Sequence, residues 1–142
     1  MRKPTNFINV FLLLEQNQNY LLYLRNHTGY DDGLFSLVSG HVEPNENAKL
    51  AMKREAHEEI GIQIQQKHLK LVHVMHRKTD RENIDLFMKC LHWDGKITNK
   101  EPKKCSQLIF RPTNNLPKNI CPYIVTVFNN LKKRKLYSEF GW

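Results

Sequence analysis

The stretch GHVEPNENAKLAMKREAHEEIGI, residues 40–62, constrains this chain more than any other. From about Asn47 to Ile60 it holds no proline or glycine, and Ala, Lys, Glu, Leu and Met dominate, which predicts a helix closed by Gly61. Arg54, Glu55, Glu58 and Glu59 lie within six consecutive positions. At about 100° per residue the three glutamates fall within roughly a 100° arc, as i, i+3 and i+4 neighbours on one face. Like charges so placed destabilise an isolated helix by about 0.2–0.5 kcal/mol per pair, and Arg54 is the only cation inside the cluster. A divalent ion reverses that sign, because hard cations take several oxygen ligands. A solvated acidic face explains the same run, so spacing alone leaves both readings open. Ala48, Ala51 and Met52 lie one turn earlier on the packing side. Lys49, Lys53 and His57 read as a solvated face, with His57 a surface residue rather than a general base.

The flanks of this helix predict strands. Residues 7–14 and 20–25 are apolar runs joined by the polar turn EQNQN, and LFSLVSG leads as a short strand into Gly40. Further strands are expected at 70–77 (KLVHVMHR) and 84–91 (NIDLFMKC), joined by KTDRE, with another at SQLIFR after the loop TNKEPKKC. A helix from about 123 to 135 is expected to complete the chain. Strands on both sides of one helix, with a second helix at the end, predict a mixed α/β architecture, and 142 residues suit one domain spanning 1–142. His73 and His76 spell HxxH, but residues three apart on a strand point to opposite faces, which argues against a metal pair.

Charge narrows the partners. With 22 Lys+Arg against 14 Asp+Glu the chain carries +8, which favours polyanions such as nucleotides or RNA. Part of the excess, Lys132-Lys133-Arg134-Lys135, sits where a helix C-terminus welcomes cations in any case. Cys90, Cys105 and Cys121 are odd in number and form no CxxC pair, so buried free thiols in a reducing cytoplasm are expected. Met1-Arg2-Lys3 before FINVFLLL superficially suggests a leader, but Asn9 interrupts the run and no small-residue cleavage site follows. No run approaches the roughly 20 apolar residues of a membrane span, so no membrane partner is expected.

The segment reads Gly40, five residues, Glu46, seven residues, Arg54-Glu55, Ala56, His57, Glu58-Glu59, Ile60, Gly61, Ile62. It resembles the signature of the Nudix hydrolase family, G-x5-E-x7-R-E-U-x-E-E-x-G-U with U a bulky aliphatic residue. All seven fixed positions match; Ala56 is smaller than the usual residue there. Val38-Ser39-Gly40 replaces the commoner Pro-Gly-Gly or Pro-Ala-Gly just before it. The resemblance, nearest to MutT-type members, implies an α/β/α sandwich with a mixed sheet. It also implies cleavage of a nucleoside diphosphate linked to a further group, a nucleoside triphosphate by default, with Mg²⁺ or Mn²⁺. By the same resemblance Glu55, Glu58 and Glu59 ligate metal with the Gly40 carbonyl, Arg54 orients a glutamate with help from Glu46, and Glu55 is the first choice of general base.

Beyond the signature, the resemblance assigns Glu101 a further metal contact, Arg25 a phosphate contact and Asn119 a purine contact. Phe87 is a candidate to stack on a base, or else a core residue. ADP-ribose members carry a proline where Arg77 and Lys78 stand, and dinucleoside polyphosphate members a tyrosine near Lys78-Thr79-Asp80. The SQPWPFPxS array and the FPGG motif of two other subfamilies are missing. A nucleoside triphosphate is left as default, damaged nucleotides among the options. Two rivals stand beside it: an RNA 5′-end pyrophosphohydrolase, which is less favoured, and a non-catalytic nucleotide- or RNA-binding module. The second has no need of the intact glutamates. Many relatives dimerise, so a homodimer is among the expected partners.

Overall fold

The computed structural model describes residues 3–142; Met1 and Arg2, the head of the leader-like stretch, lie outside the described residues. The first strand, β1 (Phe7–Gln16), alternates its side chains between two cores. Val10, Leu12 and Leu14 join one cluster, while Phe11 and Leu13 join the other. A strand covered on both faces needs apolar residues at nearly every position, which is why FINVFLLL reads as a continuous run. β1 continues through Glu15 and Gln16 and turns at Asn17 and Gln18, both at positive φ (52° and 66°). The expected five-residue turn is therefore a two-residue hairpin, and β2 (Asn19–Arg25) begins directly after it.

That hairpin pairs only at its tip, Glu15 with Tyr20 and Gln16 with Asn19. Beyond it the two strands part. β1 continues parallel to β6 (Glu82–Cys90), with Val10 opposite Leu86, and antiparallel to β4 (Ser39–His41). β2 instead pairs with β3 (Phe35–Ser36) and β7 (Cys105–Arg111). LFSLVSG thus forms two short strands with different partners rather than one. β5 (Lys70–Lys78) lies antiparallel to β6 and completes a mixed sheet.

Helix α1 (Ala48–Ile60) starts where the Asn47 side chain accepts the Leu50 N–H at 2.9 Å. It stops at Gly61, whose φ of 74° lets its N–H reach the His57 carbonyl. Ala51, Met52, Ala56 and Ile60 are buried in the core that holds Val10, Leu12 and Leu14. The small Ala56 is fully enclosed there. α2 (Pro122–Lys132) opens with proline at its first turn, where no N–H is missed. It buries Tyr123, Ile124, Val127 and Phe128 on the opposite face, with Phe11, Leu13, Met75 and Phe87. Each such side chain contributes about 1.5–3 kcal/mol of apolar burial. One helix on each face of a mixed sheet is the α/β/α arrangement expected.

The chain does not end on a helix to residue 135. α2 stops at Lys132, Arg134 turns the backbone at φ 55°, and Tyr137–Phe140 forms β8, parallel to β5. This strand is four residues long and pairs only with a distant partner, so it leaves no local periodic signal. His73 is buried between the Lys135 carbonyl and the Ser138 hydroxyl, whereas His76 packs against Trp142 at a tilt, so the HxxH residues serve packing. The three cysteines are buried and free. Among the described residues no helix is long and apolar enough to cross a membrane.

Candidate active site

A cavity of about 560 Å³ opens where β1 and β2 separate. Glu55, Glu58 and Glu59 of α1 line one end of it, together with Gly40 and with Glu101 from the loop before β7. The three carboxylates brought to one helix face by local spacing are thus joined by a fourth, 42 positions or more away in sequence from each of them. Arg54 ties this end together. Its Nη2 and Nε donate to the two Glu46 oxygens at 2.7 and 3.1 Å, and its Nη1 donates to Glu55 Oε1 at 2.8 Å and Glu58 Oε2 at 3.4 Å. Nη2 also reaches the His41 carbonyl at 3.0 Å. Glu46 accepts the Glu43 N–H as well, and that N–H and Arg54 hold its carboxyl below the ordinary glutamate range, Arg54 foremost. Glu46 stands behind Arg54 rather than in the cavity wall, so it positions the guanidinium and the guanidinium positions Glu55.

Glu59 is only 8% exposed, and the one hydrogen bond to its carboxyl among the described residues comes from the Ser39 N–H to Oε2 at 3.2 Å. The departure at Val38-Ser39-Gly40 therefore still supplies a backbone donor to a glutamate. Burial pushes the Glu59 carboxyl well above its ordinary value, and the neighbouring Glu55 and Glu101 push it further. Burial also raises Glu55, against the pull of Arg54. A Cβ at Gly40 would fall inside the Glu55 carboxyl, so only glycine lets the strand approach this closely.

A crowd of partly desolvated carboxylates with a backbone cradle is a donor set of hard oxygens, the chemistry that Mg²⁺ or Mn²⁺ requires. Among the described residues no three His, Cys, Asp or Glu side chains are drawn together tightly enough to be a finished ligand set. The reason is visible in the bonds just given: Glu55 and Glu58 turn to Arg54, and Glu59 to Ser39. The residues present fit a divalent ion in type; holding one would require the Glu55 and Glu58 carboxyls to turn from Arg54 into the cavity.

The other residues singled out from sequence divide. Arg25 lines the cavity, its Nε bonded to the Tyr30 carbonyl at 2.8 Å, and it makes no ion pair among the described residues. Asn119 is not in the cavity wall: its side-chain amide donates to the Gly33 carbonyl at 3.1 Å and its own carbonyl accepts from the Phe35 N–H. Its sequence position near α2 brings it to β3 instead. Phe87 is fully buried, stacked on Phe11 at 4.7 Å, so it is core and Phe11 is the ring that reaches the wall. His57 is exposed and bonded to Gln63.

Sequence reading missed the rest of the cavity wall, to which Asn9, Tyr30, His41, Arg77, Arg81 and Tyr123 belong. Asn9 Nδ2 donates to Asn83 Oδ1 and Asp85 Oδ1, both at 2.9 Å, and Arg77 pairs with Asp85 at 2.6 Å. Burial, then the Arg81 charge, lowers the His41 pKa, which suits the bonds it makes. The neutral ring donates from Nδ1 to Asn9 Oδ1 and accepts Arg81 Nη2 at Nε2. The signal was present as Asn9 inside FINVFLLL and Asp85 inside NIDLFM, polar residues at strand positions a core should fill with apolar ones.

A prediction follows from Glu59. Its folded pKa lies above the unfolded value of about 4.3, so the folded state holds this proton more tightly. The site's contribution to stability is then fullest below about pH 4.3 and is lost as pH rises through the folded pKa. In chelator, Glu59→Gln is expected to melt above the parent by roughly 3–6 °C at pH 8, with the gap shrinking toward pH 5. Added Mg²⁺ or Mn²⁺ is expected to raise the parent more than the variant. A variant that melts below the parent across that range in chelator would show that the buried carboxylate is not under strain.

The family model described as NUDIX domain matches residues 4–127. No curated protein matches the chain by sequence. Among solved structures, it is similar to the MutT NUDIX hydrolase from Burkholderia pseudomallei at 18% identity and TM-score 0.81, covering 88% of this chain and 97% of that one. The MutT protein from Methanosarcina mazei Go1 aligns at 16% identity and TM-score 0.80, covering 94% and 97%. A bifunctional NMN adenylyltransferase/ADP ribose pyrophosphatase from Francisella tularensis, complexed with AMP and Mn ion, aligns at 17% identity and TM-score 0.68, covering 94% of this chain and 43% of that one.

Proposed function

The chain belongs to the Nudix family, whose members are hydrolases of pyrophosphate bonds that generally use divalent metal ions, and on that premise we propose that it is a single-domain, Mg²⁺-dependent pyrophosphohydrolase of a nucleoside triphosphate or related nucleoside diphosphate derivative. Clearing damaged nucleotides from a cytoplasmic pool is the setting such an activity suits, and three buried thiols fit a reducing compartment. The observation that carries the reading is the convergence of Glu55, Glu58, Glu59 and Glu101 beside Gly40 in the wall of a cavity of about 560 Å³.

The division of labour follows from the contacts. Glu55, Glu58 and Glu59 would hold the metal, with Glu101 and the Gly40 carbonyl as further oxygen donors. When bound, that ion neutralises phosphate oxygens and acidifies a water. Arg54, anchored by Glu46, orients the Glu55 carboxyl through Oε1, and Glu55 is our choice of base for the attacking water; burial raises its pKa, which makes it a better proton acceptor than an exposed glutamate. Arg25, which has no carboxylate partner among the described residues, is our candidate for binding a phosphate oxygen. Phe11, buried in the cavity wall, limits water there.

The test is phosphate or pyrophosphate release, with Mg²⁺, from ribo- and deoxynucleoside triphosphates, nucleotide sugars, capped RNA and 5′-triphosphorylated RNA. Turnover of a nucleoside triphosphate that stops on chelation is the expected result; no turnover of any member overturns the hydrolase reading. The net charge of +8 supports a second reading in which RNA 5′ ends are the substrate. In that case turnover should fall steeply with added salt, as counterion release requires, and a free nucleotide should not compete.

A further inference from the structure

The net charge of +8 is not spread over the chain. Between Glu101 and Glu139 there is no acidic residue and there are eight Lys or Arg, so this one segment carries the whole excess. Half of it is Lys132-Lys133-Arg134-Lys135, the turn that takes the chain from α2 into β8. A helix dipole favours cations in the last turn, where only Lys132 stands; the other three lie past the helix. All four residues are exposed, and none forms an ion pair among the described residues.

The same edge carries apolar surface. Leu136, directly after the run, is 73% exposed, more than any other large hydrophobic residue described. Tyr137, Trp142 and Leu71 of β5 are exposed as well. β8 is the outermost strand of the sheet and pairs only with β5, Tyr137 lying opposite Val74. Trp142 packs against His76, with Lys78 Nζ 5.3 Å from the centre of its ring. Lys70 and Lys78 stand at the two ends of β5. The one acidic residue on β5 and β8 is Glu139, which accepts the Tyr137 hydroxyl at 2.9 Å.

Apolar and aromatic groups among unpaired cations suit one kind of partner. A second copy paired edge to edge would set four cations against four, and like charges repel. A nucleic-acid strand would meet the cations and stack on the rings, but it offers Leu136 and Leu71 nothing to bury in. An anionic bilayer satisfies all of them. Aliphatic side chains enter below its headgroups, Trp and Tyr sit at headgroup level, and Lys or Arg lie against its surface charge. The lack of a spanning helix among the described residues bears on crossing a bilayer, not on lying against one.

We propose that the β8 edge, from Lys132 to Trp142 with Leu71, docks the protein on an anionic phospholipid bilayer. Leu136 and Tyr137 enter the interface and the basic run lies on the headgroups. None of these residues lines the cavity of the candidate active site, so docking and hydrolysis are separable.

The experiment is co-sedimentation of the full chain with vesicles of phosphatidylcholine, alone or with about 30% phosphatidylserine. The parent is expected to bind only the anionic vesicles, and less as salt rises. Lys133→Gln, Arg134→Asn and Lys135→Gln together are expected to weaken binding about hundredfold, at about fivefold per cation. Asparagine is chosen at 134 because the backbone there is left-handed, at φ 55°. Leu136→Asn leaves every charge in place and is expected to cost about tenfold. Both variants should melt like the parent, since the altered side chains are exposed. Failure of the parent to bind anionic vesicles overturns the proposal. So does a Leu136→Asn variant that binds as well as the parent, which would make the run a general contact for polyanions. Displacement of the parent from vesicles by single-stranded RNA at equal phosphate overturns it too, in favour of a nucleic-acid surface.

Discussion

Changing Glu58 and Glu59 together to glutamine is expected to lower kcat for the best nucleotide by roughly 10³-fold, since each loses the charge that holds the metal and none of the shape. The fold should survive. Glu58 is half exposed, and Glu59 is a buried carboxyl under repulsion from Glu55 and Glu101, so neutralising it relieves the folded state. The measurement is turnover with Mg²⁺ titrated to excess, beside a thermal melt in chelator. High Mg²⁺ or Mn²⁺ is expected to recover only a small part of the loss, because the ligands rather than their occupancy are missing. His57→Asn, on the outer face and bonded to Gln63, should stay within about twofold of the parent, since surface changes away from the site are nearly neutral. Retention of more than a tenth of parental turnover by the double variant would remove the α1 carboxylates from the reaction.

Gly40→Ala is expected to cost about 10²-fold in kcat/KM with little change in melting temperature, a loss in the range that misplacing a catalytic group by about 1 Å produces. Gly40 does not occupy the left-handed region, so the backbone itself accepts alanine. The new Cβ instead meets the Glu55 carboxyl, the flexible end of a side chain that must move away. Moving it breaks the 2.8 Å contact with Arg54 Nη1 and carries the oxygens off the position set by Glu46 and Arg54 together. The melt should change little because Glu55 can swing toward the cavity. Should Gly40→Ala melt far lower than the parent while folded protein keeps full activity, the glycine would serve strand packing and not carboxylate placement.

The helix was the most legible part. Asn47 as cap, the apolar stripe of Ala51, Met52, Ala56 and Ile60, and Gly61 as stop are all decided by residues within a few positions of one another. The same locality put Glu55, Glu58 and Glu59 on one face and let Arg54 meet Glu55 and Glu58. Phe87 was left open between base and core, and Asn119 lies outside the cavity wall, because burial and loop direction depend on partners far away in the chain: Phe11 for one, Gly33 and Phe35 for the other. β8 escaped notice for the same reason, since its four residues become a strand only against β5.

The sequence by itself determined the signature, the helix that carries it, and the apolar strands with their two-sided burial, because capping, helical period and strand alternation act over a few residues. Only the tertiary structure decided that β1 leaves β2 after two residue pairs to run beside β6. That parting opens the cavity and draws Glu101 to the carboxylates. It also joins Asn9 to Asp85 across 76 positions and sets Arg77 against Tyr123. Such contacts depend on long-range strand pairing and on the enclosure of charge away from water, which no short window of sequence contains.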